Sequence, residues 1–133
     1  MSSAPFPCPC GLPAPYEVCC GRFHSGGQQA PTAELLMRSR FSAFAVGDTA
    51  YLLRSWAAGT RPRSLDLDPE QRWVKLEVLG TGRGGLFDTE GSVEFRAHYR
   101  EGGHAGSLHE DSRFVREDGA WVYVGPLSPV SFD

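Results

Sequence analysis

The pattern of apolar and polar positions divides the chain into three stretches. Residues 1–24 are rich in Pro, Gly and Cys and show no repeating period, so they predict a loop-built segment. From Thr32 the period becomes helical. Ala33, Met37, Phe41 and Phe44 recur at helical spacing and predict one buried stripe, with Arg38 and Ser42 mostly off it and Arg40 on its flank. Thr32 suits the N-cap, Glu34 the positive first turn, and Gly47 the end. Asp48 is placed to cap a second helix reaching Trp56, packed through Leu52, Leu53 and Trp56. Residues 59–68 read as loop, and Asp68-Pro69-Glu70 as a single turn.

The third stretch alternates. Over residues 73–79, Val74, Leu76 and Val78 fall on one side and Trp73, Lys75, Glu77 and Leu79 on the other. Residues 80–85 hold four glycines and predict a turn. Over 91–100, Val93, Phe95, Ala97 and Tyr99 point inward while Glu94, Arg96, His98 and Arg100 point out. Strands over 107–116 and 120–124, joined by Glu117-Asp118-Gly119 as a hairpin turn, complete the pattern. The tail, 126–133, carries two prolines and reads as irregular. Helices first and an antiparallel meander after them predict an α+β domain, with helices packed on one face of a curved sheet.

Composition adds two bounds. At 133 residues with 41% hydrophobic and 22% charged, the chain is long and apolar enough to bury a core. Its net charge of −3 does not suit a partner held by bulk electrostatics. No secretory pattern opens the sequence and no apolar run is long enough to span a bilayer, which points to the cytoplasm and away from membranes.

All four cysteines fall in the first twenty residues: Cys8-Pro9-Cys10, eight residues, then Cys19-Cys20. Two short-spaced thiol pairs across a small loop supply four thiolates to one tetrahedral zinc ion, and four sulfurs leave no open position for catalysis. The expected cofactor is therefore structural Zn2+ on Cys8, Cys10, Cys19 and Cys20. Disulfides and uncoupled thiols are the alternatives; a reducing compartment argues against the first. Pro9 stiffens the turn and Gly11 lets backbone N–H groups approach the sulfurs. Arg22 stands ready to help from the side, and His24 is a substitute ligand should Cys20 not serve.

The run C-P-C-G, seven residues, C-C-G-R-F-H resembles the SEC-C zinc motif, best known from the tail of the bacterial preprotein translocase ATPase. Its four ligands map onto Cys8, Cys10, Cys19 and Cys20. The loop departs from the motif: the usual Gly-Ser-Gly with a nearby lysine is here Gly11-Leu12-Pro13-Ala14-Pro15, although Tyr16 keeps its place. Downstream, P-T-A-E-L-L-M-R-S-R-F-S-A-F from Pro31, E-G-S-V-E-F from Glu90, L-H-E-D-S-R-F from Leu108 and G-A-W-V-Y-V from Gly119 are similar to the YchJ-like family of uncharacterised bacterial proteins. The resemblance covers nearly the whole chain. It implies a zinc knuckle over 1–24, a connector over 25–31, and a domain of the nuclear transport factor 2-like fold over 32–133, a cone of helices against a bent sheet.

A cone invites a pocket. If Leu108 and Phe114 face the core, Glu110 and Ser112 share their face, making Glu110 the candidate general base of a small hydrolase or isomerase, with Tyr51 or Tyr99 as hydroxyl sources. The plainer expectation is a buried Glu110 satisfied by an arginine such as Arg40, holding helix and sheet in register. His98, His104 and His109 read as surface histidines. Residues 1–30 contain one Arg and no Lys, so the knuckle lacks the cations that bind nucleic acid. Arg38 with Arg40, or Arg61 with Arg63, read as solvated charge. Phe6, Leu12, Tyr16, Val18 and Phe23 give the knuckle more apolar surface than it can bury alone, which suits a protein partner. These residues together predict a zinc-containing binding or adaptor protein, with a small-molecule ligand in the cone as a further option and the Glu110 enzyme as the rival.

Overall fold

A computed structural model describes residues 7–133, so Phe6 and the start of the predicted 1–24 knuckle lie outside the described residues. The order is a 3-10 turn at Tyr16–Val18, α1 (Cys20–His24), α2 (Ala33–Val46), α3 (Thr49–Arg54), then β1 (Gln71–Arg83), β2 (Glu90–Glu101), β3 (His104–Glu117), β4 (Ala120–Pro126) and β5 (Ser131–Phe132). Thr32 Oγ1 accepts the Leu35 amide and Gly47, at φ 81°, closes α2 through Ala43 O. Asp48 Oδ1 accepts the Tyr51 amide at the start of α3. The capping residues read from the sequence thus set both helices. Asp68 forms the expected turn, its Oδ1 and carbonyl accepting the amides of Glu70 and Gln71.

The strands form one antiparallel sheet in the order β1-β2-β3-β4, with β5 alongside the other half of β3. Helix α2 crosses the inner face, and Phe41, Leu52, Val93 and Phe114 are fully buried between them. Val93, Phe95 and Ala97 face inward and Glu94, Arg96 and His98 outward, as the alternation predicts. Asp118 and Gly119, both at positive φ, make the tight turn into β4.

Four expectations are corrected. First, α2 is buried on more than one side: Leu36, Ser39, Arg40, Ser42 and Ala43 are buried along with Ala33, Met37 and Phe41. The sheet covers one flank and the cysteine segment another, so the single apolar stripe understates the burial. Second, β1 does not alternate evenly. Register shifts between Trp73 and Lys75 and between Val78 and Gly80 make Val74 and Leu79 the extra residues, and both are exposed. Trp73 then joins Leu76 on the inner side, opposite Tyr99 and Ala97. Third, residues 80–83 are strand, and the turn lies beyond them. The glycines serve close approach there: a Cβ on Gly91 would lie 2.4 Å from Gly84 Cα, and one on Gly84 would lie 2.7 Å from Ala33 Cβ. Fourth, the tail pairs with the sheet through Leu108↔Phe132 and His109↔Ser131, and Arg96 holds Asp133 at 2.7 Å.

Candidate metal centre and the cavity of the cone

The cysteine segment folds as a small hairpin, bridged at Pro7 and Pro15, followed by the turn at Tyr16–Val18 and by α1. Gly11 at φ 91° reverses the chain, and its amide bonds Cys8 O. This brings Cys8 and Cys10 against Cys19 and Cys20 at the head of α1. All four are reduced and buried, and their Sγ atoms lie within 4.8 Å of one another. Cys10 Sγ and Cys19 Sγ are 3.6 Å apart. A tetrahedron with metal–sulfur bonds of about 2.3 Å has edges of about 3.8 Å, close to the Cys10–Cys19 separation, so the cluster could hold a divalent ion.

The surroundings suit thiolates. The backbone at Cys10 and Leu12 favours the thiolate forms of Cys8 and Cys10. Ser42 Oγ lies 3.4 Å from Cys8 Sγ. Hydrogen bonds from Cys10 and then Cys20 draw the Cys8 thiol far below its ordinary range, whereas those with Cys10 and Cys8, together with burial, push Cys20 far above it. The first thiolate is welcomed and the last resisted, because like charges crowd one small volume; a dication removes that resistance.

Arg22 donates through Nε to Cys19 O at 3.1 Å and so supports the backbone rather than a sulfur. His24 stands outside the cluster. Its Nε2 meets Ser39 O at 2.8 Å and its Nδ1 meets Tyr16 Oη at 2.6 Å, so both ring nitrogens are engaged and it is no substitute ligand in this arrangement. Arg38 spans Glu34 and Cys10 O, and Arg54 donates to the carbonyls of Phe23 and His24. Phe23 enters the main core, and Trp121 Nε1 bonds Pro31 O in the connector. The sequence reading missed Arg38 and Ser42 as tethers. Their signal is faint: polar side chains on a helix look solvated until a second element covers them.

Within the cone, Glu110 is buried beside Ser112 as strand parity predicts, but its partner is not Arg40. Glu110 Oε2 accepts from Tyr123 Oη at 2.6 Å and Ser112 Oγ at 2.5 Å. Arg40 Nη1 turns instead to Leu52 O and Ser55 Oγ at the end of α3, and its guanidinium lies over the rings of Trp56 and Tyr123. Burial lowers the Arg40 pKa to about 10, and burial followed by the Glu110 hydrogen bond raises that of Tyr123. Tyr51, offered as a hydroxyl source, bonds Ser39 instead. Between the helices and the sheet a cavity of about 150 Å³ remains, with Arg40, Glu110, Ser112 and Tyr123 on its wall. His98 and His109 pair with Glu77 and Glu94 on the outer face of the sheet.

No helix among the described residues is long and apolar enough to cross a membrane. The description "YchJ, middle NTF2-like domain" matches residues 32–126. The UPF0225 protein SCO1677 of Streptomyces coelicolor is 62% identical over 89% of this chain and 92% of its own length. A UPF0225 protein of Cupriavidus metallidurans is 48% identical over 92% and 89%. The solution structure of RPA3114, a SEC-C motif containing protein from Rhodopseudomonas palustris, superposes with a TM-score of 0.78 at 32% identity, covering 95% of this chain and 98% of that one. A SEC-C motif containing protein from Psychrobacter arcticus gives 0.75 at 27% identity, covering 94% and 84%. With its cysteine hairpin set against a helices-on-sheet cone, the chain belongs to the YchJ-like UPF0225 family.

Proposed function

We propose that Cys8, Cys10, Cys19 and Cys20 hold one structural Zn2+ and that the protein works by binding, with the knuckle as the element that docks a protein partner. The observation that carries the metal is the convergence of four buried sulfurs within 4.8 Å of one another. Four protein ligands complete a tetrahedron, so the ion organises the knuckle and leaves substrate chemistry aside. A cytoplasmic setting matches the same chemistry, since four clustered thiols stay reduced there. The docking reading draws on the knuckle's outer edge, where Val18 is 63% exposed and Leu12 half-buried, while Phe23 is spent on the core. The knuckle's scarcity of cations argues against nucleic acid as the partner. Affinity capture compares wild type, Val18→Asp and a Cys19→Ser/Cys20→Ser double variant. The expected result is a partner retained by wild type and lost by both variants; identical partner sets for all three remove the knuckle from the account.

One observation favours a second reading. The cavity beside Glu110 is open and no arginine sits on the carboxylate, an arrangement compatible with a small hydrolase or isomerase using Glu110 as base.

A further inference from the structure

Docking by the knuckle leaves the cavity of the cone without a role. At about 150 Å³ it has the volume of a cavity that holds benzene. Most of its wall is apolar, from Met37, Phe41, Phe44, Trp73, Phe95 and Leu108. Two charged side chains interrupt that wall, and both are buried: Arg40 is 4% exposed and Glu110 9%. They do not pair with each other. Arg40 uses Nη1 for its hydrogen bonds within the protein, and Glu110 uses Oε2. The remaining guanidinium nitrogens and Oε1 have no hydrogen-bond partner among the described residues. Trp56 lines the same cavity, and its indole Nε1 is the buried side-chain polar atom there that lacks a partner.

The charges select the ligand. An anion would meet the Glu110 carboxylate and a cation the Arg40 guanidinium, whereas a neutral molecule leaves the two balanced. We propose that this cavity binds a neutral molecule of about six to nine heavy atoms, with a flat apolar body and a polar edge of phenol or primary-amide type. The edge donates to Glu110 and accepts from Arg40. This binding requires neither zinc nor a docked partner, and it holds whether or not the ligand is turned over.

Titration with phenol, toluene and benzoate tests it, read by calorimetry and by the Trp56 indole N–H resonance. Phenol is expected to bind saturably and about tenfold tighter than toluene, with benzoate weaker than phenol. Ala97→Leu fills the cavity, and phenol binding is expected to disappear while the circular dichroism stays that of wild type. Glu110→Gln removes the negative charge, and benzoate affinity is expected to rise about tenfold. The proposal is overturned if phenol does not bind up to its solubility limit, if toluene or benzoate equals it, or if Ala97→Leu binds phenol as wild type does. Should Glu110→Gln not fold, the wild-type ranking and Ala97→Leu decide the matter.

Discussion

Ser42 has no exposed surface and its hydroxyl meets Cys8 Sγ, so it belongs to the candidate metal centre although it lies on α2. Groups that hydrogen-bond a metal's ligands tune affinity strongly. Ser42→Ala is therefore expected to weaken Zn2+ affinity about tenfold or more in a competitive chelator titration, with little change in secondary structure. On the outer face of the sheet, the His98 hydrogen bond holds Glu77 below its ordinary value of 4.5. A depressed carboxylate stabilises the fold above its unfolded pKa, and that contribution is lost as pH falls through the lower folded value. His98→Ala should return the Glu77 titration, followed by carboxyl-carbon NMR, toward 4.5. Single residues carried much of what could be read in advance: the clustering of the four cysteines, both helix caps, and the inward parity of Glu110 and Ser112. The partners of Arg40 could not be read. Strand parity says which way Glu110 points, but nothing local shows that the end of α3 draws the guanidinium away.

Elements show the same division. Periodicity and caps located α2, and alternation located β1 and β2, but the facing of β1 could not be read because two bulges shift its register. The glycines at 80–85 look like a turn in sequence, yet Gly84 also packs against Ala33 and Gly91. Where β1 ends, the Cβ of an alanine at 91 would sit 2.4 Å from the Gly84 backbone. Gly91→Ala should therefore destabilise the protein by about 1–3 kcal/mol in urea unfolding, an overpacking cost. Gly59, in the open loop before the sheet, has nothing within 4 Å of an added Cβ and serves as the control, with little change expected.

At the scale of the whole molecule, the knuckle is part of the fold. The sequence suggests an appendage joined by a connector, because composition changes abruptly at residue 25. The structure ties the two parts together through Phe23 in the core, His24 on Ser39, Arg54 on the α1 carbonyls and Arg38 on Cys10. Long-range contacts of this kind leave no periodic trace. Chelation should accordingly lower the melting temperature of the entire protein in one cooperative transition. An unchanged cone transition beside a lost knuckle signal would show two independent parts.

The most direct test is X-ray absorption at the zinc edge on protein purified under reducing conditions. One zinc per chain, with four sulfur neighbours at about 2.3 Å, is the predicted result. Protein that folds fully without metal, or a first shell containing nitrogen or oxygen, would contradict a closed site built from Cys8, Cys10, Cys19 and Cys20.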